Sequence, residues 1–127
     1  MVRLCLIDYS ERNINLAKEF FKEGNLLDKI CFRVGDAISI GQEYRNIDIL
    51  FLDLEKVRYL EAIQTLEKNL SEDGIVIADN VLYQGKVVFE KEDRKAKVLD
   101  SFNRYMSENY FSVILPVRDG ILVGIKK

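Results

Sequence analysis

Short apolar runs recur along the chain, and each predicts a β-strand. The first, Val2–Ile7, is almost continuous in apolar residues, which is typical of a strand buried on both faces. Three further strands are predicted at Ile30–Val34, Ile47–Leu52 and Ile75–Ala78. Near the end of the chain, Phe111–Leu115 and Ile121–Ile125 flank a turn and predict an antiparallel hairpin.

Apolar residues at helical spacing lie between these runs. Ser10 is a candidate N-cap and Gly24 a candidate stop for a first helix, whose apolar stripe spans Ile14–Phe21. A second helix is predicted from about Arg58 to Leu70, and a third in the mixed-charge stretch after Lys91. The alternation predicts one α/β domain over residues 1–127, with a mainly parallel sheet, helices on both faces and a C-terminal antiparallel hairpin.

Three of the predicted strand ends carry a carboxylate: Asp8, Asp53 and Asp79. In sheets of this class, ligands bind at the carboxyl ends of the strands. We therefore expect the functional site at this edge of the sheet.

Asp53, Asp79 and Asn80 would supply hard oxygen donors from two adjacent strand ends, which suits Mg²⁺ or a similar divalent cation. Zinc is disfavoured because the chain has no His, and neither Cys lies at metal-ligand spacing from another. From spacing alone, an alternative is equally open: Asp53 and Asp79 would cap the helices that follow them.

Three further residues are candidates for the same edge. Lys56 lies where a neighbouring cation would favour the neutral amine and make it a proton acceptor; without a metal, it is expected to be a solvated lysine in the first turn of a helix. Asp8 fits the acidic residue that accepts hydrogen bonds from ribose hydroxyls in nucleotide-binding sheets. Tyr9 would either cover an adenine ring or pack against the fold.

The amino-acid composition limits the kinds of catalysis and the binding partners that are possible. The absence of His excludes Ser–His and Cys–His catalysis. Cys5 and Cys31 lie in apolar strand runs, which predicts reduced, buried thiols in a cytoplasmic protein. The net charge of −2 gives no general attraction to nucleic acid or anionic lipid, and no segment is long enough to span a membrane.

Three motifs resemble those of one enzyme family. They are Asp53-x-x-Lys56-x-x-Tyr59, the run Ala78-Asp79-Asn80-Val81-Leu82, and Leu115-Pro116-Val117-Arg118-Asp119-Gly120. Together they resemble the cation-dependent O-methyltransferases, which use S-adenosylmethionine and include the catechol and caffeoyl-CoA enzymes. The likeness is greatest to the bacterial branch that includes tRNA 5-hydroxyuridine O-methyltransferases.

The resemblance implies a Rossmann-like methyltransferase fold and a role for each candidate residue. Asp53, Asp79 and Asn80 would be the metal ligands, and Lys56 would act with Asp53 in catalysis as the base that deprotonates the acceptor hydroxyl. For the cofactor, the implied contacts are Asp8 to the ribose and Gly35, Asp36 and Ala37 along the adenine, with Tyr9 beside them. The acceptor would be a catechol-like small molecule or a tRNA, although the charges of residues 86–97 are more typical of a solvated helix face.

This sequence departs from the family pattern in two ways. Arg118 stands where the bacterial branch usually has Gly, and Leu54 and Glu55 stand where small or aromatic residues are commoner. Family members also carry N-terminal helices and a strand with a Gly-rich loop ahead of the matching segment, so we expect an N-terminally truncated fold. The strands ending at Asp8 and Asp53 would then pair directly, borrow a strand in a homodimer, or belong to a longer gene product.

Two other functions compete with methyl transfer. A phosphoacceptor receiver domain has a similar size and a central Asp like Asp53, but Tyr9 stands where a second acid is expected. A non-catalytic remnant acting as a binding or oligomerisation module is favoured by the missing Gly-rich loop. Retention of Lys56 together with the three metal-ligand candidates favours the enzyme.

Overall fold

The computed structural model describes residues 2–127, which form two separate sheets. The chain divides into two units, one ending at Glu43 and the other covering Tyr44–Lys127. None of the helices in the described part of the chain combines the length and apolar character needed to cross a bilayer.

The first unit contains two parallel strands and two helices. In chain order these are β1 (Leu4–Asp8), α1 (Glu11–Glu23), β2 (Ile30–Val34) and α2 (Ala37–Gly41). The register of β1 with β2 runs from Leu4↔Ile30 to Asp8↔Val34. As predicted, Ser10 caps α1, where its hydroxyl accepts the Asn13 backbone N–H at 3.2 Å, and the helix ends at Gly24.

Burial in the first unit is lower than the sequence predicts. Leu4 is 43% exposed and the rest of β1 is half-buried, because β2 is its only strand partner among the described residues. Cys31 is exposed and Cys5 half-buried, so the prediction of buried thiols is wrong for Cys31. No disulfide joins these two register partners.

The second unit contains a four-stranded sheet in the order β3-β4-β6-β5. Its elements are β3 (Ile47–Leu52), α3 (Tyr59–Leu66), β4 (Leu70–Asp79), α4 (Lys86–Phe89), α5 (Arg94–Asn109), β5 (Tyr110–Leu115) and β6 (Ile121–Lys126). Strands β3 and β4 are parallel, whereas β6 is antiparallel to both β4 and β5. The predicted α/β class, parallel strands and C-terminal hairpin are confirmed.

Several boundaries differ from the prediction. The predicted helix that should reach Leu70 ends at Leu66, followed by a 3-10 turn at Glu67–Asn69, because β4 already begins at Leu70. Helices α2 and α4 were not predicted, since five and four residues are too few to repeat an apolar stripe.

Helices α3 and α5 cover one face of the four-stranded sheet. The rings of Tyr59 and Phe102 pack edge to face at 5.4 Å, and a Cβ at Gly124 would lie 2.9 Å from Met106 Cε. On the other face Phe51 is 57% and Phe111 70% exposed, so within this unit the helices pack on one face of the sheet.

Direct pairing of the strands that end at Asp8 and Asp53 is also wrong. Strand β1 pairs with β2, and β3 pairs with β4, in sheets that are separate.

A carboxylate clamp holds α3 and α5 in place on the sheet. Glu67 follows α3, and its two oxygens accept the hydroxyls of Tyr105, at 2.7 Å, and Tyr110, at 2.8 Å. Burial, followed by the hydrogen bond and charge of Glu67, raises the pKa of Tyr105 to about 12. Both phenols therefore stay protonated donors at neutral pH.

We expect Glu67→Ala to lower the free energy of unfolding by about 1–3 kcal/mol, because it leaves the hydroxyl of the buried Tyr110 without its acceptor. The measurement is urea-induced unfolding. Lys68→Ala, at the exposed neighbouring position, should change stability by no more than about 0.5 kcal/mol. Equal effects of the two substitutions would contradict the clamp.

Candidate functional site

The carboxyl ends of β3 and β4 bring together the residues predicted to hold a metal. The parallel register pairs Leu52 with Ala78, so Asp53 follows one strand directly beside Asp79 at the end of the other. Asn80 comes next in the chain. The Asp53 side chain is 56% exposed and open to solvent.

The alternative in which these aspartates cap helices does not match the structure. The helical turn after Asp53 begins after Glu55, and the one after Asn80 begins after Leu82; neither has a side-chain cap. Asp79 instead accepts the backbone N–H of Asn80 through Oδ1 at 2.8 Å. Neither Asp53 nor Asp79 therefore serves as a helix N-cap.

Lys56 is held firmly at this site. Its Nζ donates to the hydroxyl of Tyr59 at 2.9 Å and lies 3.8 Å from Asp53 Oδ1. The side chain is only 20% exposed, so the alternative of a solvated lysine is wrong. The 3-10 turn Lys56–Arg58 places the amine over the Tyr59 ring, 4.8 Å from its centroid.

Tyr59 connects the lysine to the strand end. Its ring is fully buried, and its hydroxyl donates to the backbone carbonyl of Asp79 at 2.8 Å. Burial, followed by the negative charges of Asp53 and Asp79, raises the pKa of Tyr59 well above its usual value near 10. The phenol therefore keeps its proton, and its oxygen remains available to accept from Lys56.

The loop after β4 adopts unusual backbone conformations. Asn80, Tyr83 and Gln84 have φ of 57°, 48° and 53°, in the left-handed region that side chains other than Asn rarely adopt. The turn between β5 and β6 braces this loop, and Arg118 in that turn also has a φ of 53°. Strain of this kind is characteristic of functional sites.

Asp53, Asp79 and Asn80 fit a hard divalent cation chemically. They offer two carboxylates and one amide oxygen, the donor types that Mg²⁺ takes while keeping several waters. Within residues 2–127, no group of three or more acidic or thiol side chains lies close enough together to hold a metal ion. Two carboxylates and one amide would leave the remaining positions of a cation to water and substrate.

In the first unit, the five residues predicted to contact a cofactor meet at the ends of β1 and β2. Tyr9 is 61% exposed, and its hydroxyl donates to Asp36 Oδ1 at 2.9 Å. Gly35 has a φ of 151° and donates its N–H to the Asp8 carbonyl at 2.9 Å. Ala37 opens α2, which Asp36 caps by accepting the Ser39 N–H at 3.1 Å.

Comparison with known proteins identifies the family. The O-methyltransferase family model matches residues 2–127. The chain belongs to the O-methyltransferase family. The predicted resemblance is therefore confirmed at family level. The alternative prediction of a receiver domain is wrong.

Individual relatives agree with this assignment. Tapetum-specific methyltransferase 1 of Arabidopsis thaliana is 30% identical over 72% of this chain and 41% of its own length. Caffeoyl-CoA O-methyltransferase 1 of Eucalyptus globulus is 25% identical over 94% of the chain and 54% of its own. The crystal structure of a methyltransferase from Geobacter sulfurreducens has a TM-score of 0.79 at 27% identity, covering 98% of this chain and 58% of that one. The chain thus spans about half the length of the curated relatives it matches.

Three residues that support the candidate site were not predicted from the sequence. Tyr59 and Asp119 lie inside motifs used to recognise the family, but the motifs did not indicate their hydrogen bonds. Asn103 of α5 donates to the Val81 carbonyl at 2.9 Å and fixes the loop after β4. Of these contacts, only the one between Lys56 and Tyr59 could have been predicted from the sequence, because the two residues lie three positions apart, as neighbours on one helix face do.

We expect the buried phenol of Tyr59 to make folding sensitive to alkali. The raised pKa in the folded state contributes no pH dependence below about pH 10, where the unfolded phenol is also protonated. Above that pH the unfolded state loses its proton first, so this residue lowers stability by up to about 1.4 kcal/mol per pH unit. Urea unfolding at a series of alkaline pH values should show a shallower decline for Tyr59→Phe; identical slopes would mean that the phenol is not protected.

Arg118→Gly should stabilise the protein by about 0.5–1 kcal/mol, because Gly adopts a positive φ without the steric penalty that Arg carries. Arg104→Gly, within the regular helix α5, should instead destabilise by about 1 kcal/mol. Thermal unfolding of both variants measures the difference in sign. A destabilising Arg118→Gly would contradict the left-handed assignment.

Proposed function

We propose that this O-methyltransferase transfers a methyl group from S-adenosylmethionine to a hydroxyl group, with Mg²⁺ or a similar cation held by Asp53, Asp79 and Asn80. The observation that carries the proposal is the placement of Lys56. Its amine lies beside the proposed metal ligands, 3.8 Å from Asp53 Oδ1, and is anchored by Tyr59. A base next to a hard-cation site is what deprotonation of an acceptor hydroxyl requires.

Each residue of the site would have a separate role in the proposed reaction. When bound, the cation supplies positive charge that stabilises the acceptor oxygen as an anion. Lys56, as the neutral amine, takes the hydroxyl proton: the O–H bond breaks and an N–H bond forms. S-adenosylmethionine, when bound, would supply an electrophilic methyl group to the deprotonated oxygen, with the electron pair of the broken carbon–sulfur bond left on sulfur.

Tyr59 orients the lysine for this step. Its own proton is donated to the Asp79 carbonyl, so its oxygen can only accept from Lys56. A neutral amine held in this way keeps its lone pair for the acceptor. Tyr59 is thus a positioning residue for the base.

For the cofactor, we propose contacts in the first unit. Asp8 Oδ1 accepts the Ser10 backbone N–H at 2.7 Å, whereas Oδ2 has only a 3.4 Å contact with Asn13. Oδ2 therefore keeps lone pairs that ribose hydroxyls can use. Residues 35–37 would lie along the adenine, with the exposed ring of Tyr9 beside it.

We propose a catechol-like small molecule ahead of tRNA as the acceptor. Two neighbouring oxygens of such a molecule could both reach a cation that keeps open positions. In the segment 86–97, Lys86 lies 3.7 Å from Glu90, and Lys97 lies 3.2 Å from Glu92, which lowers the charge offered to phosphate. Homodimerisation and a cytoplasmic location stay predictions.

Calorimetric titration with S-adenosylhomocysteine and Mg²⁺ tests the proposal. We expect micromolar binding of S-adenosylhomocysteine that Asp8→Ala weakens, and a Mg²⁺-dependent rise in melting temperature that Asp53→Asn abolishes. Asp48→Asn is the matched control, because it removes the same charge at an exposed position near the start of β3.

The outcomes separate the competing functions. Binding of both ligands would justify assays with catechols first and tRNA second. Absence of S-adenosylhomocysteine binding would favour the non-catalytic binding module. A thermal shift that survives Asp53→Asn would place the cation elsewhere.

A further inference from the structure

The carboxylate of Asp119 contacts the loop after β4 at two points. Oδ2 accepts a hydrogen bond from the side-chain Nδ2 of Asn80 at 3.3 Å. Oδ1 accepts one from the backbone N–H of Gln84 at 2.5 Å. These donors lie at the start and near the end of the same loop. Each oxygen of Asp119 therefore has a different partner.

An ionised carboxylate accepts hydrogen bonds and cannot donate them. The amide of Asn80 must therefore turn its NH₂ group towards Asp119, and its Oδ1 faces the other way. A cation ligand has to be this oxygen, because the amide nitrogen has no free lone pair for a metal. We propose that Asp119 is a positioning residue that selects the metal-ligating orientation of the Asn80 amide.

The backbone of Asn80 is already fixed by other contacts. Its φ is 57°, and its N–H donates to Asp79 Oδ1 at 2.8 Å. Only the side-chain torsions remain free, and the last of them, which exchanges O and NH₂, has two similar minima. The hydrogen bond to Asp119 favours the minimum in which the NH₂ group of Asn80 faces the carboxylate.

Asp119 is itself held by the turn between β5 and β6. Its carbonyl accepts the Leu82 N–H at 3.0 Å, and the next carbonyl, of Gly120, accepts the Val81 N–H at 3.1 Å. Gly120 has a φ of 81°, and a Cβ there would lie 2.5 Å from Leu82 Cγ. The turn thus packs so closely on the loop that the Asp119 carboxylate stays within reach of Asn80.

The inference rests on the proposed function, in which Asn80 is a metal ligand, and Mn²⁺ binding tests it without an activity assay. Asp119→Asn keeps the size of the side chain but leaves one oxygen to serve two donors. We expect it to weaken Mn²⁺ binding by about 10–100-fold, the usual effect of losing a partner that orients a ligand. Free Mn²⁺ is measured by its electron paramagnetic resonance signal.

A double-mutant cycle with Asn80→Ala separates orientation from general support of the loop. If Asp119 acts through the amide, Asp119→Asn should cause no further loss of Mn²⁺ affinity once Asn80 is Ala. If it acts only by bracing Gln84, or through its charge, the loss should be the same in both backgrounds. Asp48→Asn controls for removal of one negative charge.

Failure of the inference and failure of the proposed function look different. Wild-type protein that binds Mn²⁺ only when Asp53 is intact supports the metal site; absence of such binding would overturn the site and the inference together. Wild-type binding that Asp119→Asn leaves within twofold would overturn the inference alone. So would an equal loss in the Asn80→Ala background.

Discussion

The candidate metal site depends on the parallel pairing of β3 with β4. The register that sets Leu52 against Ala78 brings Asp53 beside Asp79, and a slip of one residue would send one of them to the other side of the sheet. Burial of Val76 and Ala78 under α3 and α5 fixes that register, because their faces cannot be exchanged without exposing the core. The chemistry at the strand ends is thus determined by apolar packing one or two residues away.

Local sequence signals predicted much of the fold. The bounds of β2 and β3, the Ser10 cap and the end of α1 at Gly24 follow from short-range patterns, and all are observed. The exposure of the side chains could not be predicted from such patterns, because an apolar run does not indicate whether its strand has one neighbouring strand or two. Phe51 is exposed in an edge strand whose residues, apart from Asp48, are all apolar.

The candidate residues of the site could be predicted from the sequence, but the hydrogen bonds that hold them in place could not. Asp36 and Asp53 both lie just beyond a strand, yet Asp36 caps a helix that begins at the next residue, whereas Asp53 precedes a turn that begins only at Lys56. Which carboxylate remains available for a ligand depends on where the following helix begins. The contacts of Tyr59 and Asp119 join segments 20 and 39 residues apart, beyond the range of any periodic pattern.

The hydrogen bond from Tyr59 to a backbone carbonyl also sets the route that protons can take. A carbonyl oxygen has no proton to pass on and is too weakly basic to hold one, so the chain from Lys56 through Tyr59 ends at Asp79 and cannot conduct inward. In the proposed reaction, a proton taken up by Lys56 would therefore leave on the side where Asp53 is open to water. The chain of hydrogen bonds would end at Asp79, and bulk solvent would accept the proton after each methyl transfer.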